Sequence, residues 1–207
     1  TRSYDPYEVR ALVDEAHIHG KTVACHAIGG PGLRTAIEAG VDSIEHGCLL
    51  GQEPDLLKMM ADQGSYLVPT FTVFTFHATQ GNSHAQAEAQ EFRQQHIDTV
   101  QQAMLAGVKV VAGTDAGGWE HGNNAKELEL MVAAGMTSMQ ALVAATGWAA
   151  GCLGLDDSIG TIETGKSADL IVVDGDPLAD ISVLQDKKRI RLVMKDGQVY
   201  LDRLSGD

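Results

Sequence analysis

The chain has 207 residues with 15 basic and 28 acidic side chains, so its formal net charge is −13. A hydrophobic content of 44% is ordinary for a soluble globular protein, and this length is sufficient for a sizeable core. Nucleic acids and anionic membrane surfaces bind clustered Lys and Arg, so the acidic balance argues against either as the main partner.

The three cysteines, Cys25, Cys48 and Cys152, form no CxxC pair, and an odd number at wide spacing is a poor disulfide framework. We therefore expect reduced thiols and a cytoplasmic protein. The sequence shows neither a long apolar run typical of a membrane span nor a signal-peptide segment. Because it starts at Thr1 rather than at a methionine, we expect Thr1 to be a cut end.

Predicted helices and strands alternate along the first three quarters of the chain. The first helix is predicted at residues 7–19, because apolar residues recur there at helical spacing, Asp5 can cap it and Gly20 follows it. Further helices are predicted at residues 33–39, 54–63, 87–106, 124–134 and 138–145. Strands are predicted at residues 21–26, 41–46, 66–71 and 108–113. Residues 72–85 are predicted to be an irregular loop, and a long loop above a strand end is usually functional or mobile.

The pattern changes after Leu155, where short β runs replace the alternation. The predicted β elements are residues 158–162, residues 168–174 and a hairpin at residues 190–201 with the turn Lys195-Asp196-Gly197. We therefore divide the chain into an α/β domain, residues 1–155, and a small β module, residues 156–207.

Three short apolar runs, each at a predicted strand, end in residue types that bind metals. These residues are His26, His46 and Asp115, and each is followed at once by glycine or alanine. In a parallel α/β barrel, catalytic residues project from the carboxyl ends of successive strands. A lone histidine at a strand end is more often a hydrogen-bonded polar residue than a ligand, but three such residues in matching contexts favour a site.

Side-chain alternation along the strands supports this placement, since every second residue of a strand points to the same face. Ala24 then shares an inner face with His26, and Gly113 shares one with Asp115. Cys25 is expected to face the helices.

The strand count indicates an incomplete barrel. Four strand–helix units fill residues 1–155, whereas a closed eight-stranded barrel typically needs about 250 residues. The sequence therefore predicts half of a barrel.

Several motifs carry a resemblance to a known family. They are Ala24-Cys25-His26-Ala27, Ser43-Ile44-Glu45-His46-Gly47, Gly113-Thr114-Asp115-Ala116-Gly117, and the tail from Gly160 to Leu170 with Asp176-Pro177-Leu178. In order and spacing they are similar to the metal-dependent amidohydrolase superfamily, in its Xaa-Pro dipeptidase and imidazolonepropionase-like branch. The resemblance implies the C-terminal half of a TIM-like (β/α)8 barrel, strands five to eight, followed by part of the family's composite β-domain.

The resemblance also implies a ligand set. The family's histidines of strands five and six and its aspartate of strand eight correspond to His26, His46 and Asp115, which would hold a divalent metal, expected to be zinc, in a binuclear site. Family members also carry a His-x-His on strand one and, in this branch, a carboxylated lysine on strand four. Neither of these two strands is found in this sequence.

The implied activity is hydrolysis of amide or peptide bonds in dipeptides or N-acyl amino acids, with Asp115 as the proton acceptor. Hydrolysis of cyclic amides and deamination remain alternatives within the superfamily. A further alternative is a non-catalytic fragment that must assemble with a separate N-terminal half or with a second copy of itself. The expected partners are therefore a small-molecule substrate and either the N-terminal half of the same enzyme or a second copy of this chain.

Other histidines and cysteines have two readings. His121 lies in a loop after the fourth strand, where it either contacts substrate or is an ordinary surface residue. Cys48 lies two residues after His46, and a buried small hydrophobe is a more common fate of a free cysteine than metal binding. His17 and His19, near a helix C-terminus, are expected to be structural or solvated.

Overall fold

The computed structural model describes residues 3–79, 83–117 and 121–204, without the side chains of residues 83–89. Its helices are α1 (Pro6–Ile18), α2 (Gly30–Ala39), α3 (Pro54–Gln63), α4 (Phe71–Ala78), α5 (Ser83–Ala106), α6 (Lys126–Ala133), α7 (Ser138–Ala144) and α8 (Gly147–Cys152). Short 3-10 turns lie at Leu50–Gln52 and Ile181–Gln185. No helix in these ranges is both long and apolar enough to cross a membrane.

A parallel sheet lies in the first half of the chain. Its strands are β1 (Ala24–Ala27), β2 (Ser43–His46), β3 (Tyr66–Val68) and β4 (Lys109–Val110). They pair in chain order, and each pair is parallel. Parallel neighbours need a crossover connection, and helices supply these connections here. The predicted α/β class is confirmed.

Local sequence signals mark the start of α1 and the ends of α2 and α3. Asp5 accepts a hydrogen bond from the Tyr7 amide at 2.9 Å, and Glu8 reaches back to the Asp5 amide at 2.7 Å, which forms a capping box for α1. Helices α2 and α3 end at Gly40 and Gly64, whose φ angles of 84° and 77° are left-handed.

The core lies between the helices and one face of the parallel sheet. The strand residues Ile44, Leu67 and Val110 are fully buried, and so are Leu33 and Met60 on the helices that cover them. The opposite face of the sheet carries the polar side chains of the site described below. Residues on the helix-covered face are used for core packing, so the side chains available for chemistry are those on the opposite face.

The second sheet is antiparallel and lies in the C-terminal part of the chain. It consists of β5 (Leu170–Val173), β6 (Ile190–Lys195) and β7 (Gln198–Asp202), in that order. Asp196 and Gly197 join β6 to β7 with φ angles of 54° and 74°, and two positive φ angles define the turn that suits a two-residue hairpin. The predicted hairpin is confirmed.

Two predicted segments are wrong. Residues 72–85 do not form one irregular loop, because α4 occupies Phe71–Ala78 and α5 already begins at Ser83. Residues 158–162 form no strand. Gly160 there has a φ of 92°, and a Cβ at this position would lie 2.5 Å from the Ala150 Cβ, so the chain packs tightly against α8 instead of pairing.

Strand β4 is shorter than predicted. Val111 still donates to the Leu67 carbonyl at 2.9 Å, but the next amide, that of Ala112, donates to Ala144 at the end of α7. The Ala112 bond lies on the edge of the strand away from β3, whereas on the β3 side the next residue to donate would be Pro69, which has no N–H. The chain therefore leaves the sheet three residues before Asp115.

Candidate active site

Four ionisable side chains line one pocket of about 290 Å³ at the carboxyl edge of the parallel sheet. They are His26, Glu45, His46 and Asp115, and the remaining lining residues are Val68, Thr70, Gly113 and Thr114. The structure thus brings together the three residues that the sequence singled out. Glu45 is an addition that the sequence analysis did not select.

The register of β1 and β2 explains why Glu45 is in this pocket. His26 pairs with Glu45, whereas His46 pairs with Ala27. Neighbours in register share a face of the sheet, so Glu45 points to the same side as His26, opposite the fully buried Ile44. By alternation His46 belongs to the helix-facing side, and its φ of 74° turns the chain so that it also lines the pocket.

Thr70 orients the His46 imidazole. The Thr70 Oγ1 atom lies 2.7 Å from His46 Nδ1 and donates its hydrogen to the Pro69 carbonyl at 2.6 Å. A hydroxyl has one hydrogen, so Nδ1 must carry the proton that joins the two side chains. Nε2 is then the ring nitrogen with a lone pair, which is the form that binds a metal when a partner holds the other nitrogen.

Three residues of the pocket have left-handed backbone conformations although none is glycine. The φ angles are 74° for His46, 56° for Thr70 and 50° for Asp115. Each such residue costs about 1–3 kcal/mol, and such residues persist where the surrounding structure fixes them. They lie at or after the ends of β2, β3 and β4, so the backbone turns sharply at three of the four strand ends that border the pocket.

Burial shifts the pKa values of two pocket residues. Burial raises the pKa of Glu45; the Ser43 hydroxyl, which donates to it at 2.7 Å, opposes that rise, and the negative Asp115 adds to it. Burial lowers the pKa of His46, and His26 lowers it further. The two imidazole rings meet edge to face with centroids 4.6 Å apart. A neutral imidazole and carboxylates that repel one another favour a cation in this pocket.

Gly113 gives β3 and the loop after β4 room to approach each other. A Cβ at Gly113 would lie 2.3 Å from the Val68 Cγ1 atom. Val68 lines the same pocket and is 7% exposed. Only glycine at position 113 lets the backbone approach Val68 this closely in the pocket wall.

The donor set suits a divalent metal by its chemistry, since imidazole nitrogen and carboxylate oxygen are the common ligands of zinc. In the described residues, however, no three His, Cys, Asp or Glu side chains converge to hold an ion. The pocket supplies donors without a complete coordination sphere.

The other candidates lie elsewhere. His121 is exposed and does not line the pocket. Cys48 is fully buried, and burial raises its pKa to about 12, so it behaves as a core residue. Cys25 packs against the core, as expected. His96, which no motif marked, is fully buried beside Phe71.

A second cavity, of about 660 Å³, runs along β1, which is the terminal strand of the sheet in the described part of the chain. Its lining is mostly apolar and includes Leu12, Val23 and Leu33, and His26 borders it as well. The site therefore adjoins an apolar groove on the outer side of β1.

Comparison with known proteins places these features in a family. The model of the amidohydrolase family matches residues 2–200. Ochratoxinase from Aspergillus niger is 32% identical over 203 residues, which cover 95% of this chain and 42% of the enzyme. Imidazolonepropionase from Geobacillus thermodenitrificans is 29% identical over an alignment of 209 residues, 96% of this chain and 44% of that protein.

A solved structure agrees with the sequence comparisons. The crystal structure of a Xaa-Pro dipeptidase with bound methionine in the active site is 40% identical and has a TM-score of 0.85, covering 96% of this chain and 49% of that one. The chain thus spans half or less of the length of these relatives. The match covers the motifs around His26, His46 and Asp115, and the chain belongs to the amidohydrolase family.

Proposed function

We propose that the polypeptide containing this chain is a metal-dependent amidohydrolase that hydrolyses amide or peptide bonds of dipeptides or N-acyl amino acids. The observation that carries the proposal is the shared pocket of His26, His46 and Asp115 at the strand ends. The similarity to a Xaa-Pro dipeptidase and to ochratoxinase supports an amide substrate.

His26 and His46 would hold the metal, expected to be zinc, and Asp115 would contribute a carboxylate. The Nδ1 proton of His46 is engaged by Thr70, which supports Nε2 as the ligand atom. In the complete enzyme we expect a binuclear site, in which the remaining ligands come from a segment other than residues 1–207. When bound, the metal would polarise the scissile carbonyl and acidify a water molecule.

Asp115 would act as the general base. Its carboxylate would take a proton from the attacking water and deliver it to the leaving amine nitrogen, which couples bond formation to C–N cleavage. Glu45, beside it in the pocket, would add negative charge that favours the cation. His121, which lies outside the pocket in the loop after β4, would contact a part of the substrate that extends beyond the pocket.

We further propose that β1 to β4 correspond to strands five to eight of a (β/α)8 barrel, within residues 1–155. Residues 156–207 would form the C-terminal part of a composite β-domain. The parallel order of the four strands and the separate antiparallel sheet support this assignment.

A second candidate is a subunit that is inactive until it assembles with an N-terminal half or with a second copy. Two observations favour it: the described donors do not complete a metal site, and an apolar groove borders β1. Residues 1–207 expressed alone should then self-associate and lack activity. Light scattering coupled to size exclusion, at several protein concentrations with zinc, measures this, and a compact active monomer would contradict it.

The main experiment measures metal content in the full-length gene product that carries these residues. His26→Ala and His46→Ala should each lower the zinc content, because each removes a ligand nitrogen. His19→Ala is the matched control, since His19 is exposed and contacts Glu15 on the surface. Full metal occupancy in both site variants would rule out the ligand assignment.

Substrate class is tested with a panel of dipeptides, N-acyl amino acids, cyclic amides and amino-substituted rings. Release of free amino acid from the first two supports the proposal, whereas ring opening or ammonia release alone supports the alternatives within the family. His121→Ala should raise KM for the best substrate without lowering metal content. An unchanged KM would remove His121 from the site.

A further inference from the structure

Glu127 is a fully buried carboxylate on α6 that the proposed chemistry does not use. Its Oε1 atom accepts a hydrogen bond from the Phe71 amide, and its Oε2 atom accepts one from the Thr72 amide, both at 2.8 Å. These amides open α4, where unpaired backbone N–H groups and the helix dipole favour a negative group. Glu127 therefore caps a helix that begins 56 residues earlier in the chain.

The Thr72 hydroxyl extends this contact to the pocket wall. Its Oγ1 atom lies 2.8 Å from Glu127 Oε2 and 3.1 Å from the carbonyl oxygen of Thr114. Thr114 immediately precedes Asp115. The side chain of Glu127 is thus two hydrogen bonds away from the peptide that presents the proposed base.

The same carboxylate also adjoins the residue that orients His46. Phe71, whose amide Glu127 binds, follows Thr70 directly, and Thr70 holds His46 Nδ1 at 2.7 Å. Both Thr70 and Asp115 have left-handed backbones, which require support from their surroundings. The buried Glu127 carboxyl group therefore holds the backbone next to Thr70 directly and, through Thr72, the backbone next to Asp115.

The environment of Glu127 fits a bridging role. Burial raises its pKa to about 7, against the opposing effect of its hydrogen bonds from Thr72 and Phe71. A hydroxyl has a single hydrogen, so Thr72 satisfies both of its contacts at once when Oε2 is protonated and donates to Oγ1. Oγ1 can then donate to the Thr114 carbonyl.

We propose that Glu127 is a positioning residue: through Thr72 it ties the start of α4, just after β3, to the segment after β4, and so fixes His46 and Asp115 relative to each other. The inference rests on the proposed function for its kinetic consequence. The geometric link between these two segments does not depend on a bound metal.

Two substitutions in the full-length gene product separate this role from simple stability. Glu127→Gln keeps the volume, but either orientation of the amide places its NH2 group against the amide of Phe71 or of Thr72. Thr72→Val keeps both backbone bonds to Glu127 and removes only the hydroxyl that reaches Thr114. Thr72→Ser, which retains the hydroxyl, is the rescue control.

Glu129→Gln is the control on the same helix, because Glu129 binds Lys126 and Gln185 near the surface. We expect about a tenfold or greater loss of Co²⁺ affinity and a changed visible Co²⁺ spectrum in Glu127→Gln and Thr72→Val. The kcat should fall while KM changes less than about twofold, since the loss concerns the reacting groups. Thr72→Ser and Glu129→Gln should resemble the wild type.

Amide hydrogen exchange at residues 113–117 provides a readout without metal. Faster exchange there in Thr72→Val, but not in Thr72→Ser or Glu129→Gln, supports the link even if the wild type binds no metal and hydrolyses no amide. In that case only the proposed function fails. Unchanged exchange in Thr72→Val, or a Glu127→Gln variant that loses thermal stability alone, would overturn the inference.

Discussion

His46 and Thr70 are joined by a 2.7 Å hydrogen bond between Nδ1 and Oγ1, and both residues have left-handed backbones. The bond fixes the tautomer of the imidazole. It also links the end of β2 to the end of β3, so that ring orientation depends on a neighbouring strand.

Thr70→Val should weaken metal binding. The variant keeps the shape of the side chain but leaves the buried His46 Nδ1–H without its acceptor, which costs about 1–3 kcal/mol. Loss of such a partner typically lowers metal affinity by about 10- to 100-fold. Titration of the full-length apo-protein with Zn²⁺ against a competing chelator measures the change. Thr70→Ser retains the hydroxyl and should bind as the wild type does; equal loss in both variants would contradict the explanation.

Asp115→Asn should nearly abolish turnover, because a side-chain amide cannot accept the proton of the attacking water. General-base contributions are typically about 10²- to 10⁴-fold, and we expect kcat to fall within or beyond that range. Asp115 is exposed, so the melting temperature should change little. Turnover like that of the wild type would rule out the general-base role.

Gly113→Ala should disturb the pocket by overpacking. The new methyl group would lie 2.3 Å from Val68 Cγ1, and forced shifts of this kind cost about 1–3 kcal/mol. Chemical denaturation measures the loss. Gly147→Ala is the control, since its nearest atom is 3.6 Å away. Combining Gly113→Ala with Val68→Ala should recover stability, and failure to do so would argue against the clash.

Stability should depend on pH through Glu127. Its pKa rises from 4.5 to about 7 on folding, so the folded state holds the proton more tightly than the unfolded state. The resulting stabilisation is present below about pH 4.5 and is lost as pH rises through about 7, an effect on the order of 3 kcal/mol. Denaturation of the wild type and Glu127→Gln across this range should show the difference in unfolding free energy shrinking with pH.

The pH dependence of stability expected from Glu129 has the opposite sign, so Glu129→Gln serves as the control. The Lys126 ammonium lowers its pKa, so its contribution is present above the ordinary glutamate pKa and is lost on acidification. The difference between the wild type and Glu129→Gln should therefore grow with pH. If the difference in unfolding free energy between the wild type and Glu127→Gln does not vary with pH, the raised pKa of Glu127 is not its cause.

The sequence predicts the parallel sheet well, because its strands and helices follow local periodicity. It also identifies His26, since alternation along one strand needs no knowledge of its partner. Asp115 was recognised from its residue type after an apolar run, because the chain has already left the sheet there. Glu45 was missed because its face is recognised only from its register with His26. The pattern gives no sign that His46 reaches the pocket through a positive φ.

Long-range contacts explain the remaining errors. Helix α4 is rich in aromatic and β-branched residues, which have modest helix propensity, so the local pattern favours a loop there. Its start is stabilised by Glu127, whose partner Thr72 is 55 residues away in sequence. Nothing near residue 127 distinguishes this buried glutamate from the exposed acidic residues of an ordinary helix.

At position 115 the left-handed backbone favours glycine, whereas the proposed chemistry requires a carboxylate. Glycine takes this conformation without steric cost, and an exposed side chain adds little packing, so Asp115→Gly should leave unfolding free energy unchanged or raise it. The same exchange removes the carboxylate. Glycine would suit the backbone here on stability alone, so the strained conformation of Asp115 is the conformational cost of placing a carboxylate at the position of the proposed base.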